Sequence, residues 1–137
     1  MLQFFERPPA TLFSTPAKDL EKLLGGPALI HIAGRQKPPL FLSVLLHGNE
    51  TSGWQALCEV MSKLVSVNAQ PERSVILFVG NVAASAQGVR SLPGQMDFNR
   101  IWRGEHGMTR LASQVLDRLA QTELFAALDI HNNTGRN

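Results

Sequence analysis

The chain has 137 residues, 44% of them hydrophobic, and a formal charge of +2. That is enough apolar material for one domain with a real core, and too mild and scattered a charge for a nucleic-acid surface. No apolar run reaches membrane-spanning length, the start Met1-Leu2-Gln3-Phe4-Phe5-Glu6-Arg7 lacks the cationic and long apolar blocks of a signal peptide, and one cysteine cannot form an intrachain disulfide. A cytoplasmic protein without nucleic-acid or membrane partners is expected.

Residues 1–27 read as an opening segment. Ser14-Thr15-Pro16 can cap a short helix through Leu24, which Gly25-Gly26-Pro27 would stop. Residues 28–137 form the main body. Ala28 to Ala33 and Leu40 to Leu46 read as strands, and the segment Gly34-Arg35-Gln36-Lys37-Pro38-Pro39 between them suits a hairpin loop. From Thr51 to Val65, Trp54, Leu57, Cys58, Met61, Leu64 and Val65 recur at helical spacing and predict an amphipathic helix. Cys58 on that stripe reads as a small core residue, because no acidifying neighbour is evident. Ser74 to Val79 is a further strand. A long irregular segment follows from Gly80 to Gly104, and loops of that length in a compact domain are usually functional. Met108, Leu111, Ala112, Val115 and Leu119 predict a second amphipathic helix, and Phe125 to Ile130 the last strand. Strands alternating with helices imply an α/β fold with a largely parallel sheet.

The densest chemistry lies in Leu45-Leu46-His47-Gly48-Asn49-Glu50, where an imidazole and a carboxylate stand three residues apart at a strand-to-helix turn. At that spacing both can reach one point. Zinc takes imidazole nitrogen and carboxylate oxygen at about 2.0–2.2 Å, and a catalytic site commonly has three protein ligands. The third candidate is His131, which also follows an apolar run and precedes turn-forming residues, at the strand edge where open α/β sheets bind ligands. Ligation by His47, Glu50 and His131 requires their donor atoms within about 3–4 Å of one another. In the long segment, Arg90 and Asp97-Phe98-Asn99-Arg100-Ile101-Trp102 supply two guanidiniums and an amide, donors suited to a carboxylate or a polarised carbonyl. His31 and His106 read as ordinary polar residues and Arg103, Arg110 and Arg118 as solvated charges. Trp102 reads as packing beneath the arginine loop.

Taken in order, His47-Gly48-Asn49-Glu50, Arg90, Asp97 to Trp102 and Asp129-Ile130-His131 resemble the zinc carboxypeptidase superfamily. Within it the chain is similar to the succinylglutamate desuccinylase and aspartoacylase branch, of which Gly80-Asn81 closing a strand and Asn132 after His131 are also typical. The resemblance runs from about Leu40 to the end. It implies a mixed, largely parallel sheet with helices on both faces, truncated at the carboxyl end. It also implies zinc on His47, Glu50 and His131, carbonyl polarisation by Arg90, a substrate carboxylate held by Asn99 and Arg100, and Asp97 orienting the His47 ring. The implied activity is hydrolysis of an amide bond in a small carboxylate-bearing substrate such as an N-acyl amino acid. A metallocarboxypeptidase acting on short peptides or cell-wall fragments, and a zinc-binding but inactive module, are the alternatives. The family's general-base glutamate lies downstream of its third ligand, past Asn137. The resemblance therefore makes this chain the amino-terminal part of a catalytic domain, inactive alone, with Asp129 as a structural carboxylate.

Overall fold

The apolar runs become strands and the periodic runs become helices close to where the sequence puts them. A computed structural model describes residues 1–102 and 109–132; Arg103, His106 and Met108, assigned above, lie outside these. The strands are β1 (Gln3–Phe5), β2 (Ala28–Ile32), β3 (Gln36–Val44), β4 (Arg73–Val79) and β5 (Ala126–Ile130). The helices are α1 (Leu20–Leu24), α2 (Ser52–Ser66), α3 (Val82–Ala86) and α4 (Arg110–Ala120). Two single 3-10 turns, Leu12–Ser14 and Ala17–Asp19, precede α1, which ends at Gly25.

All five strands form one sheet in the order β1-β2-β4-β3-β5. β4, β3 and β5 are mutually parallel, and β2 runs antiparallel to β4 with β1 parallel to it at the far edge. This is the mixed, largely parallel sheet expected, with one correction. β2 and β3 do not form a hairpin, because β4 inserts between them. β3 already begins at Gln36, and Pro38 and Pro39 sit where its register shifts between Gln36 and Leu40. Prolines are tolerated in a strand at such an irregularity, since they cannot donate to a regular ladder. β1 was not expected either; three residues are too few for a pattern to declare itself.

Alternation along the central strands feeds two cores. On one face Ile30, Val44, Leu77 and Val79 pack against Leu12, Leu20, Leu24, Trp54 and Met61 from the opening segment and α2. On the other, Leu29 and Phe78 pack with Leu46, Phe98, Ile101 and the α4 residues Ala112 and Val115. Helices therefore cover both faces, as a parallel sheet requires. Trp54 is buried, stacks on Phe13 with ring centroids 6.2 Å apart, and donates its indole N–H to the Thr15 carbonyl at 3.0 Å. The stripe on α2 is shorter than its spacing suggests: Val65, in the last turn, runs past the packed cluster and is 70% exposed. Cys58 lies partly buried against this core, and burial pushes its thiol up to about 11. An un-ionised thiol at neutral pH fits a packing role.

Candidate active site

The parallel strands deliver their carboxyl ends side by side. Val44 of β3 is in register with Val79 of β4 on one flank and Ile130 of β5 on the other. Past that line the chain leaves β3 through Leu45, a buried residue in the left-handed region at φ 55. The Gly80 N–H donates to the Val44 carbonyl at 3.0 Å and the Asn81 N–H to the Leu45 carbonyl at 2.6 Å, which fixes this exit. Gly48 then permits a close approach. A Cβ at that position would lie 2.2 Å from the Ser85 backbone nitrogen and 2.3 Å from the Ala84 carbonyl carbon. The turn carrying His47 and Glu50 is thus pressed against α3. Asn81 caps α3 by accepting the Ala84 N–H at 3.2 Å, and its amide pairs reciprocally with that of Gln95 at 2.8 and 3.1 Å, holding the long loop to the same edge. The segment from Gly80 is therefore not wholly irregular; α3 is short and rich in small residues, so no apolar period announces it.

His47 and Glu50 are 2% and 3% exposed. The His47 Nδ1 lies 2.9 Å from Glu50 Oε1, and its Nε2 lies 2.8 Å from Asp97 Oδ1. A neutral imidazole donates from one nitrogen only. Carboxylate oxygens stand at both nitrogens, so a neutral ring can donate to only one of them. If Asp97 accepts a hydrogen bond from Nε2–H, Nδ1 presents a lone pair toward Glu50, the donor pairing a zinc ion uses. The donor set fits zinc on that account. Asp97 also accepts the Asn99 N–H at 2.8 Å. Burial pushes the Asp97 carboxyl up, but the His47 hydrogen bond, the Asn99 amide and the charges of His47 and Arg90 outweigh it and hold the group below the ordinary carboxylate range.

Arg90 spans the two carboxylates, with Nη1 3.3 Å from Glu50 Oε1 and Nη2 3.5 Å from Asp97 Oδ2. Its carbonyl accepts the Gly48 N–H at 3.0 Å. Asn99 and Arg100 join this cluster through their backbone, the Arg100 N–H donating to the Asp97 carbonyl at 2.8 Å, while the Arg100 side chain is exposed. Trp102 meets Phe78 edge-on at 5.7 Å and packs against the second core. His131 follows β5 on the same sheet edge, yet its ring turns to Asp129, with Nδ1 3.2 Å from Oδ2. Asp129 in turn accepts the hydroxyl of Ser43, its register partner on β3, at 2.7 Å. The structure thus gathers His47, Glu50, Asp97 and Arg90, while the His131 ring is paired with Asp129. Among the described residues no three His, Cys, Asp or Glu side chains are arranged as a metal site.

Two participants carried no assignment from the sequence. The Asn132 N–H donates to Glu50 Oε2 at 3.1 Å, and the Ser52 hydroxyl donates to the Asn132 side-chain oxygen. Only their places beside candidate ligands hinted at them.

Fold and site define an α/β domain that gathers a buried imidazole and carboxylate with a half-exposed guanidinium at the ends of parallel strands. The chain belongs to the succinylglutamate desuccinylase/aspartoacylase catalytic domain family, whose model matches residues 36–136. It is 35% identical over 86 residues to a succinylglutamate desuccinylase of Pseudomonas paraeruginosa, covering 60% of this chain and 25% of that one. A succinylglutamate desuccinylase of Pseudomonas putida is 31% identical over 98 residues, covering 72% of this chain and 28% of the relative. The chain thus spans about a quarter of the length of these relatives. No solved structure matches it significantly.

Proposed function

We propose that this chain forms the amino-terminal, ligand-bearing part of a cytoplasmic zinc-dependent deacylase that cleaves the amide bond of an N-acyl amino acid. The buried His47–Glu50 pair, with Asp97 on the other ring nitrogen of His47 and Arg90 spanning the two carboxylates, carries the reading. The names of the relatives support an acylated amino acid as substrate. His47, Glu50 and, after rotation away from Asp129, His131 would hold zinc, which supplies Lewis-acid polarisation of the scissile carbonyl and activation of a water. Asp97 keeps the His47 Nδ1 lone pair aimed inward. Arg90, 46% exposed, can leave Glu50 and Asp97 to donate to the developing oxyanion. Asn99 and Arg100 lie on the same loop, where their side chains can hold the substrate carboxylate. Asp129, engaged by Ser43 and His131, is ill placed to move the proton. The isolated chain is therefore expected to be inactive, since proton transfer alone contributes about 10²–10⁴-fold.

Chelator competition on the chain, beside His47→Ala and Glu50→Ala, tests the metal. Zinc binding by the parent and its loss in both variants is expected; no binding by the parent overturns the reading. Turnover of N-succinylglutamate or N-acetylaspartate by a protein of the relatives' length tests the chemistry. Turnover of peptides alone would favour the metallocarboxypeptidase, and zinc binding without turnover the inactive module.

A further inference from the structure

Glu50 and His131 stand on different strands' exits, so something must fix the gap between them. Three contacts do so, all between residues 50–53, where the chain enters α2, and residues 130–132, where it leaves β5. The Asn132 N–H donates to Glu50 Oε2 at 3.1 Å. The Ser52 hydroxyl donates to the Asn132 side-chain oxygen. Gly53 faces Ile130 so closely that a Cβ there would lie 2.8 Å from the Ile130 Cγ2. Ser52 opens α2, but the cap position is Thr51, whose side chain makes no capping bond. The Ser52 hydroxyl is thus directed across the seam rather than into its own helix. Glu50 is 3% exposed and is engaged on both oxygens: Arg90 donates to Oε1, which also lies 2.9 Å from the His47 Nδ1, and the Asn132 amide donates to Oε2.

We infer that Ser52 and Asn132 form a clasp across the seam between α2 and β5, and that as positioning residues they set the placement of the Glu50 carboxylate and the His131 backbone relative to one another. The clasp works in two stages. The Ser52 hydroxyl fixes the Asn132 side chain, and the fixed residue presents its N–H to Glu50. Orientation of a ligating carboxylate by such a partner commonly accounts for about 10–100-fold in metal affinity. This inference rests on the metal reading above, but its first readout needs no metal.

The test compares the parent chain with Ser52→Ala, Asn132→Ala, the double variant and Ser52→Thr. In the metal-free chain, amide exchange at Asn132 is expected to quicken about tenfold in Ser52→Ala and to return toward the parent rate in Ser52→Thr, which keeps the hydroxyl. Zinc affinity by chelator competition should fall roughly tenfold in each single variant and no further in the double variant, because the two side chains act as one unit. Unchanged Asn132 exchange in Ser52→Ala overturns the clasp. So does additive loss in the double variant, or failure of Ser52→Thr to restore exchange. Clasp-dependent exchange in a parent that binds no zinc would keep the clasp and overturn the metal reading.

Discussion

At the scale of single residues, His47 is the group on which the rest converges. Its two ring nitrogens face two carboxylates, and the ring is almost wholly buried. The division of labour between the carboxylates follows from their surroundings. Glu50 is buried on the same turn, whereas Asp97 is about one third exposed and arrives from a loop 50 residues downstream. Removing Asp97 should therefore spare the fold and disturb the ring. Asp97→Ala is expected to weaken zinc affinity by roughly 10–100-fold while the far-ultraviolet circular dichroism stays unchanged. Equal affinity of variant and parent in chelator competition would take Asp97 out of that role. The motif around His47 and Glu50 was legible in the sequence because both lie on one turn. The orientation of His131 was not: its ring pairs with Asp129, which also accepts from Ser43 opposite it in the β3–β5 register, a pairing no local pattern contains.

At the scale of elements, the strands β2 to β4 and the helices α2 and α4 could be read from periodicity to within a few residues, because each buries one stripe or both faces; β5 was legible from its apolar run alone, since all five of its residues are exposed. What failed was neighbourhood. The proline-bearing connection before β3 has the length of a hairpin loop, but only the insertion of β4 decides that β2 and β3 are not paired. The turn from β3 to α2 shows why local chemistry matters here as well. Leu45 in the left-handed region and Gly48 against the α3 backbone form one compact exit, and Gly48 has no room for a side chain. The atoms a Cβ would meet are backbone, which cannot swing aside as a flexible side chain could. Gly48→Ala must then push α3 or the His47–Glu50 turn out of place. Overpacking of this kind typically costs about 1–3 kcal/mol, which for a domain of this size lowers Tm by roughly 4–12 °C. An unshifted melting transition in Gly48→Ala would mean that the turn and α3 are not held together in solution.

At the scale of the whole molecule, the sheet is well protected on its faces and poorly protected at one edge. β3 and β4, in the middle, each pair on both sides. β5 pairs only with β3 among the described residues, and all five of its residues are exposed. Beside and within it Phe125, Leu128 and Ile130 are 61%, 51% and 38% exposed. An edge strand presents a row of unpaired N–H and C=O groups, and proteins usually blunt such edges with charge, proline or a covering element. β5 offers one charge, Asp129, which is already engaged by Ser43 and His131. The chain of 137 residues on its own is therefore expected to self-associate through this edge, with sedimentation velocity showing dimers or larger species whose share grows with concentration. Leu128→Lys places a solvated charge on the edge and should shift the distribution toward monomer without lowering Tm appreciably, since Leu128 is already half exposed. If the parent chain sediments as a monomer across the whole concentration range, the edge is protected in a way that the pairing of β5 with β3 does not explain, and the argument from its exposed apolar residues fails.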